Sequence, residues 1–208
     1  MIPVRVLAVR YLANAAPPLC RALGAPESSS SLAMLTTDCD DATYIALDAA
    51  TKAAQAQVCY ARSFYAGSAN ASTPNAGEVI GILAARTPGA ARSAMEAALS
   101  TLERVGFEEL SGVPCLAHTV SSVGSFLAAE ANVPVGSAIA YLIAPPLEAM
   151  YALDEAMKAA DVTLCKLYAP PSETNFGGAL LSGTQSACTA ACAAFREKVK
   201  QVAQQPIS

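Results

Sequence analysis

Ala46 to Ala54 reads ALDAATKAA, and 106 residues further on Ala152 to Ala160 reads ALDEAMKAA. The same offset aligns Asp48 with Asp154, Lys52 with Lys158 and Cys59 with Cys165, which marks an internal duplication of the chain. Neighbouring offsets carry the match outward. Pro26 pairs with Pro134, and the apolar run Leu32, Ala33, Met34, Leu35 pairs with Ile139, Ala140, Tyr141, Leu142. Downstream, TPGAARSAM from Thr87 pairs with TQSACTAAC from Thr184 at an offset of 97, so the second half has a shorter connection. VRVLAVRYL from Val4 resembles VPCLAHTVS from Val113, each alternating as a strand does and each followed by a short helical segment. Two domains are expected, residues 1–110 and 111–208, with EELSGVP from Glu108 to Pro114 as the junction.

Within a half the pattern predicts strand, short helix, strand, helix, strand, extended loop, strand, helix. That is an α+β unit whose mostly antiparallel sheet carries helices on one face. The helix from about Asp41 to Ala54 follows the acids Asp38, Asp40 and Asp41, which offer N-cap oxygens and a charge that suits the helix start. In the second half Pro145 and Pro146 open the corresponding helix, because a first turn tolerates proline.

Composition narrows the function classes. Hydrophobic residues make up 53% of the 208 and charged residues 14%, which excludes a disordered chain. Aromatics supply only 6%, so most of the apolar share is alanine and other small side chains suited to close packing between elements and subunits. A mean hydropathy of +0.36 with so few charges points to surface covered by other chains, hence to an oligomer. The net charge of −4 and the lack of a Lys/Arg run argue against nucleic acid as a partner. No apolar stretch reaches the roughly 20 residues that span a bilayer, and MIPVRVLAVRYL reads as a strand, so no membrane association and a cytoplasmic address are expected. The seven cysteines show no CxxC pair and no histidine at ligand spacing, and are read as reduced, buried thiols. Cys188 and Cys192 share a helix face, yet two soft ligands do not make a zinc site, and His118, the single histidine, is read as structural.

Several strings resemble one family: DCDDATYIALDAATKAA from Asp38, ARSFYAGSANAS from Ala61, AGEVIGIL from Ala76, AYLIAPPLEAMYALDEAMKAADV from Ala140 and PPSETNFGGALLSGTQSACTAAC from Pro170. They resemble the EutL shell proteins of ethanolamine-utilisation bacterial microcompartments, over nearly the whole chain. The resemblance implies two circularly permuted microcompartment-shell domains per chain and three chains forming a pseudohexameric disc. It further implies that discs tile beside other shell proteins into a facet with a gated pore for metabolites. By the same resemblance Lys52 and Lys158 are tile-edge residues, the other reading being solvated helix lysines. The pore loops would be Arg62 to Ser72, with Ala66, Gly67 and Ser68, and Tyr168 to Gly178, with Ser172, Glu173, Asn175, Phe176 and Gly177. Both stretches are rich in loop-forming residues, and Gly67 and Gly177 allow backbone rearrangement.

The family's small-ligand site, with ethanolamine as a ligand, maps onto Asp40, Tyr65, Glu78, Phe107 and Thr174. An aminoalcohol cation suits that set: carboxylates from Asp40 and Glu78, ring faces from Phe107 and Tyr65, a hydroxyl from Thr174. The alternative is that Asp40 caps its helix and Glu78 pairs with Arg62. Relatives are associated with a corrinoid at the trimer centre and with zinc in an open form. The pore loops here carry no histidine, so no metal is expected and no cofactor is required.

No catalytic residue is legible. A nucleophile with its base, a metal constellation and a phosphate-cradling loop are all missing from the sequence pattern. The rival to a shell tile is a soluble oligomeric sensor or carrier that binds a metabolite between subunits.

Overall fold

The computed structural model describes residues 1–63, 79–170, 172 and 175–207. The chain divides into two compact units. One comprises Pro3–Gly106 together with Gly124–Leu127, and the other Met1–Ile2, Phe107–Val123 and Ala128–Ser208.

The first unit runs β1 (Val6–Leu12), α1 (Pro17–Ala22), β2 (Ser31–Thr37), α2 (Asp40–Ala53), β3 (Ala56–Ser63), β4 (Val79–Ala85) and α3 (Pro88–Leu102). The strands form an antiparallel sheet in the order β1-β2-β4-β3. Both faces of the central strands are apolar. Leu35 and Gly81 meet Leu47 of α2, so close that a Cβ on Gly81 would come 2.7 Å from Leu47 Cδ1. The alternate residues Leu32, Ile82 and Ala84 cluster with Ala15 and Cys20 around α1. Helices thus cover both faces, whereas the sequence pattern predicts helices on one. The second layer follows from the apolar residues at every position of Leu32–Leu35 rather than at alternate ones.

The second unit runs β5 (Glu108–Leu110), β6 (Val113–Val120), α4 (Ser125–Ala131), β7 (Ala138–Ala144), α5 (Pro146–Ala159), β8 (Val162–Tyr168), β9 (Gly177–Gly183) and α6 (Gln185–Gln204). Its sheet order is β5-β6-β7-β9-β8, all neighbours antiparallel. Ala149, Ala152 and Ala156 of α5 and Cys188, Ala191, Cys192 and Phe195 of α6 form one core with Ala140, Leu142, Ala179 and Leu181 of the sheet. Small side chains let the helices approach each other, and Phe195, wholly buried, adds on the order of 2 kcal/mol by leaving water.

The duplication holds element by element. α2 and α5 begin and end 106 residues apart. A register shift between Val58 and Tyr60 in β3 recurs between Leu164 and Lys166 in β8. Gly24 and Asn132, 108 apart, close α1 and α4 with positive φ angles of 72° and 52°. Thr87 and Thr184 cap α3 and α6 alike, accepting from the N–H groups of Ala90 and Ala187. The offset falls to 98 between β4 and β9, so the shortening lies in the β8–β9 connection.

Two local expectations need correction. Glu108 to Pro114 is a tight hairpin: Leu110 pairs with Val113, and Ser111 and Gly112 both take positive φ, as a two-residue primed turn requires. The N-cap of α2 is Cys39, with no side-chain cap bond, and Asp38 before it is held instead by Arg5 through its main-chain N–H and its Nε, both at 2.8 Å. Asp40 and Asp41 lie inside the first turn, where their charge still suits the helix start.

Candidate functional site

Asp40 stands where α2 begins and β3 ends. Its Oδ1 accepts from the Asp41 N–H at 2.8 Å, and its Oδ2 accepts from Ser63 Oγ at 2.6 Å. The carboxylate is therefore buried but satisfied, tied to the last residue of β3. Beneath it, Thr37 and Thr43 share a hydroxyl bond at 2.7 Å, and Thr43 also donates to the Cys39 carbonyl. Burial raises the Cys39 thiol far above its ordinary value, so it stays protonated among the neighbouring acids. Ser63 was not singled out from the sequence. The strand end that places it, two residues before Tyr65, is the signal that could have found it.

In the second unit, Phe107 opens the segment leading into β5, and its carbonyl accepts from the Ile2 N–H at 2.6 Å. Its ring lies 5.6 Å from that of Phe176, just before β9. Gly177 follows, and a Cβ there would come 2.6 Å from Pro170 Cγ, so the loop's return demands glycine. The Ser172 N–H donates to the Phe176 carbonyl across the loop, and Asn175 is exposed. Tyr141, buried in the middle of β7, stacks on Tyr168 at the end of β8 at 6.3 Å, and Lys166 Nζ lies 5.2 Å from the Tyr168 ring while pairing with Glu130. Of the remaining ligand and loop candidates, Tyr65, Ala66, Gly67, Ser68, Glu78, Glu173 and Thr174 lie outside the described residues.

Lys52 and Lys158 occupy the last turns of α2 and α5 and are both partly or largely exposed. Each faces the aspartate one turn back: Lys52 Nζ lies 3.4 Å from Asp48 and Lys158 Nζ 2.5 Å from Asp154. The aspartates differ sharply. Asp154 is exposed, whereas Asp48 is wholly buried and takes the N–H groups of Gly124 at 2.7 Å and Leu127 at 2.9 Å, one on each oxygen. Sequence reading aligned the two and missed this role. Gly124 was the available signal, since a Cβ there would come 2.2 Å from Thr51 Oγ1.

All seven cysteines are free thiols, and Thr119 Oγ1 donates to the Cys192 sulfur inside the core. Among the described residues no three His, Cys, Asp or Glu side chains gather as a metal site.

No family model matches the chain. Its full length aligns with the bacterial microcompartment shell protein EutL of Clostridium perfringens, 52% identical, covering 97% of that protein. The chain belongs to the EutL family of microcompartment shell proteins. The Salmonella typhimurium EutL is 42% identical, also over the full chain and 96% of the relative. Among solved structures, the ethanolamine utilization protein EutL from Leptotrichia buccalis superposes with a TM-score of 0.96 at 51% identity, covering all of this chain and 97% of that one. These EutL proteins share the α+β arrangement of two duplicated units, and the role the family fixes is that of a structural shell component. No helix among the described residues is long and apolar enough to cross a membrane.

Proposed function

We propose that the protein is a homotrimeric facet tile of a bacterial microcompartment within the cytoplasm, serving ethanolamine utilisation. The observation that supports this most is full-length kinship, 52% over the whole duplicated chain, with a protein named for that shell. Six similar units, two per chain, suit a pseudohexameric disc with the β3–β4 and β8–β9 connections gating its pore. Ethanolamine binds at Asp40, Tyr65, Glu78, Phe107 and Thr174. Asp40, whose carboxylate is already buried and oriented by Ser63, supplies fixed charge for the ammonium group. Occupancy biases the loops only so far as the ligand favours one loop arrangement over the other. A corrinoid is a second ligand class for the centre of the disc. The protein performs no chemistry of its own in this reading; it restricts exchange of intermediates and admits substrate.

Lys52 and Lys158 make the contacts between discs, and other shell proteins complete the facet. Negative-stain microscopy of the purified protein tests this: regular sheets are expected, with Lys52→Ala and Lys158→Ala forming discs that do not tile. Discrete particles under every condition would instead favour a soluble carrier.

A further inference from the structure

The two halves share a backbone at the corner where the long helix passes into the next strand, and differ there in charge. The Ala56 N–H donates to the Ala54 carbonyl at 2.8 Å in one, and the Val162 N–H to the Ala160 carbonyl at 2.9 Å in the other. In the first unit a cavity of about 620 Å³ opens at this corner. Lys52, Gln55 and Gln57 line it from the α2–β3 side, Ser28 and Ser29 from the turn before β2, and Arg86 from the end of β4.

Main-chain bonds fix this frame. The Ser29 N–H donates to the Pro26 carbonyl at 2.8 Å, closing the turn. Ser30 ties that turn to the end of β4, its N–H on the Ala85 carbonyl and its hydroxyl on the Arg86 carbonyl, both at 3.1 Å. The Arg86 guanidinium forms no hydrogen bond or ion pair among the described residues. Lys52 leans on Asp48 at 3.4 Å, but that carboxylate is wholly buried and already takes the N–H groups of Gly124 and Leu127. Among the described residues no carboxylate lines the cavity, and Glu27, between Pro26 and Ser28, is exposed. Two cations therefore face one space, with uncharged hydroxyl and amide donors around them.

The duplication shows what is particular to this place. β4 and β9 lie 98 residues apart, whereas the caps that follow them, Thr87 and Thr184, lie 97 apart. Arg86 is thus one inserted residue with no counterpart in the second half. At the offset of 106 Gln55 corresponds to Asp161, an exposed acid, and at 108 Ser28 corresponds to Gly136. The second unit's nearby cavity, about 490 Å³ around Asn132, Thr163 and Cys165, is lined by no charged side chain among the described residues.

We propose that the cavity of the first unit binds a phosphate-type oxoanion, free or as the head group of a phosphorylated small molecule. The guanidinium offers parallel N–H donors that match two oxygens of such an anion, the ammonium adds a compact charge, and the serine hydroxyls can donate to the remaining oxygens. The volume falls within the range of small-molecule sites, which leaves room beside Gln55 and Gln57 for an uncharged organic portion. Both cations are accessible to water, so binding weakens as ionic strength rises. The site lies at the start of β3, opposite the strand end that carries Ser63 and Asp40, and does not depend on the ethanolamine reading.

Phosphorus NMR titration of the full chain at fixed ionic strength, with inorganic phosphate and separately with glycerol phosphate, tests this. Saturable binding is expected with both. Tighter binding of glycerol phosphate would assign the site to phosphorylated molecules, and equal binding would assign it to the free ion. Arg86→Ala and Lys52→Gln should each weaken binding roughly tenfold or more. Gln55→Asp, which installs the acid of the second half without removing a cation, should do the same. Lys200→Gln, which removes an exposed cation of α6, should bind as the parent does. No saturable binding by the parent up to about 20 mM, or equal affinity in all the variants, would overturn the proposal. Neither result bears on the shell reading, which microscopy of the sheets decides.

Discussion

Asp48→Asn and Asp154→Asn change the same residue in the same repeated string, and they should differ in effect by several-fold. At Asp48 one carboxylate oxygen becomes an NH₂ group facing a main-chain N–H, either Gly124 or Leu127, which loses its acceptor in a buried site. An unsatisfied buried donor costs about 1–3 kcal/mol, and the surviving bond loses the reinforcement of the negative charge. The ion pair with Lys52, 3.4 Å away, is lost too. The sum is about 2–4 kcal/mol. Among the described residues Asp154 pairs with Lys158 alone, an exposed i,i+4 pair worth about 0.3–0.5 kcal/mol. Urea denaturation of both variants at one protein concentration, followed by circular dichroism, gives the comparison. Hydrogen exchange should also show Gly124–Leu127 losing protection in Asp48→Asn alone. If the two variants are destabilised to within about 0.5 kcal/mol of each other, the capping role assigned to Asp48 is wrong.

Gly124→Ala should cost about 2–4 kcal/mol in the same assay, because its Cβ would meet the Asp48 carbonyl at 2.7 Å as well as Thr51. Gly89→Ala, in the first turn of α3 with nothing within 4 Å, should stabilise by about 0.5–1 kcal/mol. Burial raises the thiols of Cys59 to about 11 and Cys115 to about 12 from an ordinary 9.0. Unfolded chains then shed these protons first, so their contribution is intact below pH 9 and stability falls between pH 9 and 12, which denaturation at stepped pH would detect. Asp40→Asn should weaken ethanolamine binding at least tenfold by calorimetry, about 1.4 kcal/mol or more; unchanged affinity would remove Asp40 from the ligand site.

The repeat ALDAATKAA/ALDEAMKAA was enough to read the order of elements, because helix period and capping threonines are local signals. The strings were silent on everything that depends on distant partners. Asp48 and Asp154 sit in near-identical sequence, and it is Gly124 and Leu127, 76 and 79 residues away, that make one a buried acceptor. The acids before α2 read as caps, but Arg5, 33 residues upstream, takes Asp38. Ser111-Gly112 read as a linker because a three-residue strand such as β5 is too short to show alternation. Of the ligand candidates, the sequence could mark Asp40 as a carboxylate at a helix start, but not its tie to Ser63, which depends on where β3 ends.

The most direct test of the central claim is the mass of the purified protein in solution at micromolar concentration. The account predicts a single species of three 21.2 kDa chains. A monomer or dimer that persists on concentration would contradict it.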